Sequence, residues 1–313
     1  AIVFVIVLLD SVFEAIFGFN SLGFQTNMTG RIAGFFGSEL VAGSFLGGFA
    51  IMFISKISLF FKNRNNLIIF LILVIIITSF LVGERSNFIK LFFSLSLLTF
   101  FVVKLNFQNV SYSLLILFGT IFLFINFNEE IKYRYQNQII FANSKPLVSG
   151  QHETIEEFNK PFEMTIENYI KDSLYGAHYN AAFKIFQEHP IFGIGVKNFR
   201  LESLKVKYEN REYKRTNSRW STHPHQIHYE FLSETGLFGY ISFLVFIITS
   251  LFLSIKNYLK YRNYFQLSCI LYVAVYLIPF LPSGSFFSTF PSSLFWINYA
   301  IMMSYIKNNY IKS

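Results

Sequence analysis

The chain has 313 residues, of which 53% are hydrophobic and 20% aromatic, while only 14% are charged. This balance excludes an ordinary soluble domain, and the long apolar runs indicate a polytopic helical membrane protein. The net charge of +8 is no sign of nucleic-acid binding, because the basic residues are spread between the apolar runs, as membrane topology requires. The single cysteine, Cys269, excludes an intramolecular disulfide and a cysteine metal site.

The apolar runs predict about eight transmembrane helices. Most reach the roughly 17–25 residues that cross about 30 Å of hydrocarbon as a helix. The first run is short and starts without Met, so we expect further helices before it; no charged region that would mark a signal peptide precedes it. The runs are 1–17, 39–55, 66–83, 88–104, 110–128, 237–255, 265–282 and 290–306.

Lysine and arginine near the ends of the runs predict the orientation. Threading the runs alternately puts the basic clusters on one side, which the positive-inside rule makes the cytoplasm. The large loop 129–236 then faces outward. The expected organisation is an N-terminal bundle (1–128), this loop, and C-terminal helices with a cytoplasmic tail (237–313). The clusters comprise Lys56, Lys62, Arg64, Lys104, Lys256, Lys260, Arg262, Lys307 and Lys312.

The second half of the large loop contains a helical pattern followed by a glycine turn. From Asn168 to His189, apolar residues recur every three or four positions, and the helix is expected to stop before Pro190. Gly193 and Gly195 follow. They lack the preceding strand and the third glycine of a nucleotide-binding fingerprint, so we interpret them as a tight turn.

Three of the six histidines lie within six residues, where the loop approaches the next apolar run. His225 is the leading candidate for a general base, since imidazole has an ordinary pKa near about 6.5 and accepts a hydroxyl proton at neutral pH. Alternatively, it is an interfacial residue that caps the next helix. With His223 and His228 it could form a zinc site, although Glu230 and Glu234 fit helix-start chemistry better.

Four arginines are candidates for binding an anionic substrate, because guanidinium matches phosphate oxygens bidentately. Arg31 lies just before an apolar run on the external side, where it could also extend to lipid headgroups. Arg85, in an external turn beside Glu84, is a functional candidate or a residue that solvates the turn with that glutamate. Arg200 and Arg219 belong to a basic stretch before the histidines, which is either a solvated face or an anion funnel.

These residues resemble the O-antigen ligase and polymerase superfamily. His225-Gln226, nine residues, and then Gly236-Leu237-Phe238-Gly239 are similar to its H-[NSQ]-x9-G-x-x-[GTY] signature. The segment Glu188-His189-Pro190-Ile191-Phe192-Gly193-Ile194-Gly195 and the pattern Arg31-x-x-Gly34-x-Phe36 add to the likeness. The resemblance covers nearly the whole chain and is specific to the superfamily, whereas the subtype is open.

The resemblance implies a GT-C-like, metal-independent, inverting glycosyltransferase of the bacterial inner membrane, with the large loop periplasmic. The donor would be an undecaprenyl-diphosphate-linked glycan, and the acceptor lipid A-core or another glycan. No cofactor is expected, because the lipid diphosphate is the leaving group. Membrane lipids are further partners, and nucleic acid is not. By analogy, His225 activates the acceptor hydroxyl and Arg31 holds the diphosphate. Further candidates for binding the diphosphate are Arg85, Arg200 and Arg219. The residues expected to support the site are His223, His178, Gln226, Gly236 and Gly239.

One departure from the family concerns the second diphosphate ligand. Members commonly carry an arginine in the helix before the His-Pro-x-x-Gly-x-Gly turn, whereas His178 stands at the comparable place here. Arg200 or Arg219 could supply the missing charge.

The favoured activity is ligation to lipid A-core, and the alternatives are polymerisation of repeat units and transfer to protein. A transporter of lipid-linked glycans would need paired charges within the membrane or inverted repeats. Asp10 and Glu14 are the main ionisable residues within the apolar runs, and they could interact with preceding helices or with Arg31. A membrane scaffold without activity gives no reason for histidines clustered beside external arginines.

Overall fold

A computed structural model describes residues 1–26, 28, 30–61, 64–103, 107–132, 134–135, 170–171, 173–213, 215–279 and 281–310. Over these residues the chain is helical and contains no β-strand, which confirms the all-α prediction. The basic residues Lys62, Lys104, Lys214 and Lys312 lie outside the described residues, as does most of the first half of the predicted loop, 136–169.

The described part of the chain consists of α-helices and short 3-10 turns. Short 3-10 turns occur at Gly34–Glu39, Val206–Tyr208 and Thr216–Ser218. The α-helices are α1 (Ile2–Phe17), α2 (Ala42–Phe60), α3 (Asn65–Leu81), α4 (Arg85–Val102), α5 (Phe107–Phe127), α6 (Glu129–Lys132), α7 (Leu174–Glu188), α8 (Phe199–Glu202), α9 (Ile227–Tyr261), α10 (Tyr264–Tyr276) and α11 (Thr289–Tyr310).

Apolar composition, rather than intrinsic propensity, accounts for the long helices. α3 is rich in isoleucine, a residue that favours strands in water. In hydrocarbon, however, a helix satisfies its backbone hydrogen bonds within one segment. Among the described residues, α2, α4 and α9 are long and apolar enough to cross a membrane, and α3, α10 and the stretch Ser111–Phe127 of α5 are shorter apolar helices.

The chain divides into two compact units. The bundle unit comprises Ala1–Ile131, Phe246–Ile278 and Thr289–Ser313, and the loop unit comprises Lys132–Val245 and Pro279–Ser288. In the bundle unit α2 is central, since it packs against α1, α3, α4, α10 and α11. Its side chains Leu46, Ala50 and Ile54 are fully buried.

Two buried carboxylates of α1 fix the connection to α2. Glu14 accepts hydrogen bonds from the backbone N–H groups of Ala33 (3.2 Å) and Gly34 (2.6 Å), and Asp10 accepts one from Ser21 (2.8 Å). Among the alternatives raised by the sequence was a contact between these acids and Arg31. The structure instead directs them to backbone donors, and Arg31 pairs with Glu84.

The loop unit is organised around α7. The helix predicted from Asn168 begins at Leu174, because the Ser173 hydroxyl accepts a hydrogen bond from the Gly176 N–H (2.9 Å) and caps the first turn; Asn168 itself lies outside the described residues. The helix ends at Glu188, before His189-Pro190, as predicted. Its apolar face packs against Phe199 and Tyr208, which places α8 and the 3-10 turn that follows it over α7.

Candidate active site

His225 lies in the loop that leads into α9 and has an unusual backbone conformation. Its φ is 58°, in the left-handed region that non-glycine residues seldom adopt. Its carbonyl accepts a hydrogen bond from the N–H of Ser283 (2.8 Å), so the 279–288 segment of the same unit holds it in place. Non-glycine residues with such backbones cluster at functional sites, where the surrounding structure maintains the strain.

The imidazole of His225 is surrounded by polar and aromatic side chains. Its Nε2 lies 3.1 Å from the Ser221 hydroxyl. The ring centroid is 4.1 Å from that of His223 and 5.2 Å from that of His178, and the Tyr175 ring meets it edge-on at 5.6 Å. His225 is half-buried. The structure therefore brings together His223, His225 and His178, the last of which comes from α7.

His178 is held by the backbone of the basic stretch. Its Nδ1 lies 2.9 Å from the carbonyl oxygen of Arg219. The Arg219 side chain is buried and donates hydrogen bonds to the carbonyls of Leu204, Lys205 and Thr216. In this conformation the Arg219 side chain binds the loop's own backbone. These bonds also fix the Arg219 carbonyl that contacts His178.

Burial favours the neutral form of His178, His223 and His225, because it lowers the pKa of each imidazole. Burial, with a smaller contribution from the neighbouring His223 and His178, lowers the pKa of His225 to about 3. Burial likewise lowers the pKa of His223 to about 4 and lowers that of His178. A neutral imidazole has the lone pair that a proton acceptor needs, while its lowered pKa makes His225 a weaker base than a free imidazole.

The start of α9 orders the residues that follow His225. The Gln226 side-chain oxygen accepts hydrogen bonds from the N–H groups of His228 (2.7 Å) and Tyr229 (3.0 Å), and so caps the helix. The buried Glu230 accepts hydrogen bonds from the Ser285 hydroxyl and from the N–H of Phe286 (2.8 Å). Gln226 therefore fixes the start of the helix that adjoins the histidine loop.

The two glycine motifs of the sequence meet at a kink in α9. Gly236 has φ 65° and ψ −170°, which breaks the helical geometry. The Leu237 N–H donates to the carbonyl of Pro190 (2.8 Å), and the Gly195 N–H donates to that of Glu234 (2.8 Å). The Glu234 carboxylate accepts hydrogen bonds from the N–H groups of Lys197 (2.6 Å) and Phe199 (3.2 Å). The glycine turn, residues 190–195, is thus bound along the kinked segment.

Gly236→Ala is expected to disrupt this junction. A Cβ at Gly236 would lie 2.3 Å from the Ile191 carbonyl oxygen, and the positive φ adds strain for any L side chain. We expect a lower midpoint of thermal unfolding and loss of activity in the same variant. The control is Gly47→Ala, in open space on helix α2, which should keep or slightly raise the midpoint. Equal behaviour of the two variants would contradict the proposed packing requirement.

Gly239 is also closely packed, since an added Cβ would lie 2.4 Å from the Cβ of Thr235. Its place one turn after the kink keeps the helix backbone close to that side chain.

In the bundle unit, Arg31 forms an ion pair with Glu84. Its Nη2 lies 2.9 Å from Glu84 Oε1 and donates to the Leu40 carbonyl (2.8 Å). Both side chains are largely buried, at 13% and 9% exposure. Glu84 also accepts a hydrogen bond from the Gly43 N–H (3.2 Å) and one from the Asn87 amide. The suggestion that Glu84 merely solvates its turn is wrong, because its carboxylate joins Arg31 to the start of α2.

The remaining candidate arginines occupy different places. Arg85 begins α4, directly after Glu84, and is partly buried. Arg200 lies in α8 of the loop unit and is exposed.

The zinc hypothesis for the histidine cluster finds no matching arrangement of ligands. Nδ1 of His228 lies 3.0 Å from the Tyr240 hydroxyl, whereas Nε2 of His225 lies beside the Ser221 hydroxyl. The two imidazoles therefore have different hydrogen-bond partners. In the part of the chain that is described, the group with metal-ligand spacing is Glu188, His189 and Glu202. The Lys207 ammonium already pairs with Glu188 there.

Sequence reasoning did not single out Ser221, Tyr175 or the structural role of Glu84. Ser221 is four residues before His225, and Tyr175 precedes His178 by nearly one helical turn, so both spacings were visible as hints. Glu84 gave no such signal, because its partners Arg31 and Gly43 are distant in sequence.

One of the comparisons with known proteins shows the family of the chain. A comparison with curated proteins gives no match. The family model described as O-antigen ligase matches residues 38–244, more than half of the chain. The match includes His225, Gly236 and the glycine turn, whereas Arg31 lies just before it. Family members are membrane enzymes that act on lipid-linked glycans and acceptors, and the apolar helices accord with this. The chain belongs to the O-antigen ligase family.

Proposed function

We propose that the protein is a metal-independent, inverting glycosyltransferase that moves a glycan from undecaprenyl diphosphate to an acceptor hydroxyl. The favoured activity is that of an O-antigen ligase, with lipid A-core as acceptor. Polymerisation of O-antigen or exopolysaccharide with the same donor is the alternative within the family. The observation that carries the proposal is the half-buried His225, which lies within the residues that the family model matches and is fixed through Ser221 and Ser283.

In the proposed reaction, the acceptor oxygen attacks the anomeric carbon of the donor glycan from the face opposite the diphosphate. The hydroxyl proton passes to the His225 imidazole as the new carbon–oxygen bond forms. The bond between the anomeric carbon and the diphosphate breaks, and its electron pair leaves on the diphosphate oxygen. Inversion follows from this single displacement.

Arginines are proposed to stabilise the charge that develops on the leaving diphosphate, as guanidinium forks do for phosphate oxygens. Arg31 is the leading candidate, and Arg85, Arg200 and Arg219 are further candidates. Because Arg219 is already bonded to three backbone carbonyls, its contact with a donor would require these bonds to be exchanged. His178 and His223 are proposed to position His225, since their rings pack beside it.

We further propose a GT-C-like arrangement with about eight transmembrane helices in the bacterial inner membrane. The 1–128 bundle and the 237–313 helices would flank the 129–236 loop, which would face the periplasm. This topology rests on the distribution of lysine and arginine near the apolar runs. It also places the histidine loop where a lipid-linked diphosphate has to lie, at the depth of the headgroups.

The experiment that tests the activity uses the protein in liposomes with an undecaprenyl-diphosphate oligosaccharide. Lipid A-core and a second donor molecule are offered separately as acceptors, and products are identified by mass. Transfer to lipid A-core supports the ligase. Extension of one donor glycan by another instead shows a polymerase. Glycan translocation without any new glycosidic bond would contradict enzymatic function and favour a transporter.

The pH dependence of the transfer rate should show a lower His225 pKa in the free protein than in the complex with the donor. Burial lowers the His225 pKa to about 3. The value of kcat/KM, which reports on the free protein, should therefore not fall through protonation of His225 near pH 6.5. The negative donor diphosphate favours imidazolium and therefore raises the pKa. We expect the acid limb of kcat to lie at higher pH than that of kcat/KM, measured as initial transfer rates between pH 4 and 8 in steps of about one unit.

Protein unfolding has to be separated from this effect. The folded-state pKa of His225 is below its ordinary value, so below about pH 6.5 the unfolded chain binds a proton that the folded chain excludes. The folded state is therefore fully stable with respect to His225 above the unfolded pKa, and it loses stability as the pH falls from about 6.5 towards 3. Rates are therefore corrected for the folded fraction, measured at each pH. A kcat/KM titration centred near pH 6.5 after correction would contradict the neutral, buried base.

A further inference from the structure

Among the exposed apolar side chains of the loop unit, three lie together where the glycine turn meets α9. Ile191 and Phe192, at the tip of the glycine turn, are 61% and 72% exposed, and Phe238 of α9 is 67% exposed. The rings of Phe192 and Phe238 lie 6.0 Å apart, centroid to centroid. Contiguous exposed apolar side chains of this kind mark a surface that another apolar phase covers.

The depth of this surface follows from helix α9. Its apolar stretch runs from Leu237 to Ile255 and ends at Lys256. At about 1.5 Å per residue this stretch rises about 28 Å, close to the thickness of the hydrocarbon core. With α9 across the bilayer, Leu237 and Phe238 would lie at the edge of the hydrocarbon opposite Lys256. Since the glycine turn is bound to them, Ile191 and Phe192 would lie at the same depth.

The backbone of the turn is suited to that depth. Non-helical backbone near hydrocarbon is tolerated where the protein satisfies its polar groups. The carbonyls of Pro190 and Ile191 accept hydrogen bonds from the N–H groups of Leu237 (2.8 Å) and Phe238 (3.1 Å). In the other direction, the Ile194 N–H donates to the Ser233 carbonyl (3.1 Å). Pro190 itself has no N–H to satisfy.

We propose that the glycine turn is a membrane anchor, whose tip residues Ile191 and Phe192 insert into the bilayer hydrocarbon beside Phe238. Continuity with the apolar stretch of α9 identifies the lipid bilayer as the occupant of this surface. The anchor fixes the height of the loop unit at the membrane surface independently of any substrate. Lys197 and Arg200, which follow the turn, are then placed at the level of the lipid headgroups.

Site-directed fluorescence tests the anchor. Phe192→Cys and Ile191→Cys are made in a Cys269→Ser background, since Cys269 is buried and is the chain's only cysteine. Each variant is labelled with an environment-sensitive dye and placed in liposomes that contain lipids with a nitroxide near the headgroup or near the bilayer centre. Asn217→Cys, in an exposed polar turn of the same unit, is the aqueous control, and Phe252→Cys, exposed in mid-stretch of α9, is the membrane control.

The expected result is that labels at positions 191 and 192 lose most of their fluorescence to the shallow nitroxide and little to aqueous iodide. The label at 217 should show the reverse, and the label at 252 should respond most to the deep nitroxide. Quenching of the 192 label by iodide as strong as at 217 would overturn the anchor. Protection from both quenchers would overturn it too, because it would show that another protein surface covers the turn. Thermal unfolding of each labelled variant checks that the fold is kept.

Discussion

Replacement of His225 is expected to lower the rate of glycan transfer by about 10²–10⁴-fold, the usual contribution of a positioned general base. His225→Asn is the sharper variant, because asparagine tolerates the left-handed backbone better than alanine does. The amide keeps a polar side chain at the site and removes the basic lone pair. Transfer is measured in liposomes at saturating donor and acceptor, with product mass as the readout.

His228→Gln is the matched control for this substitution. It changes a nearby histidine whose Nδ1 contacts the Tyr240 hydroxyl, and we expect it to keep most of the activity. A loss of equal size in both variants would favour a shared structural or metal-binding role for the histidines. Wild-type turnover in correctly folded His225→Asn would remove the proposed base from the mechanism.

Much of the fold was predictable because the membrane imposes a strong pattern. Long apolar runs predicted helices over α2, α3, α4 and α5, where the structure also has them. The boundaries were less predictable, because local polar contacts set them. Ser173 starts α7 later than the apolar period suggested, and α9 begins at Ile227, ten residues before its apolar stretch, where Gln226 supplies a cap.

The candidate site was predictable where its residues are neighbours in sequence. His223 and His225 were visible as a cluster, and the signature glycine at 236 was visible as part of a motif. The reason for that glycine was not visible, because it depends on contact between the kink of α9 and a turn about forty residues earlier. The Arg31–Glu84 pair was hidden for the same reason, since no sequence period reports a long-range ion pair.

That ion pair determines how Arg31 should be tested. Arg31→Ala is expected to reduce transfer more than removal of a loop lysine such as Lys205, if Arg31 stabilises the leaving diphosphate. The same substitution leaves the buried Glu84 without its cation, however, which costs about 3–5 kcal/mol of stability when a buried pair is broken. Loss of activity in Arg31→Ala alone would therefore combine lost folding with lost chemistry.

The double variant Arg31→Ala/Glu84→Gln separates the two effects. Glutamine keeps an oxygen that can accept the Gly43 N–H and removes the unpaired charge, so stability should largely return. We expect transfer to stay low in the double variant, while Lys205→Ala, which removes an exposed lysine paired with Glu202, retains it. Unfolding midpoints and initial rates are measured on the same preparations. If activity returns together with stability, Arg31 serves to neutralise Glu84, and the diphosphate has to be held by other residues.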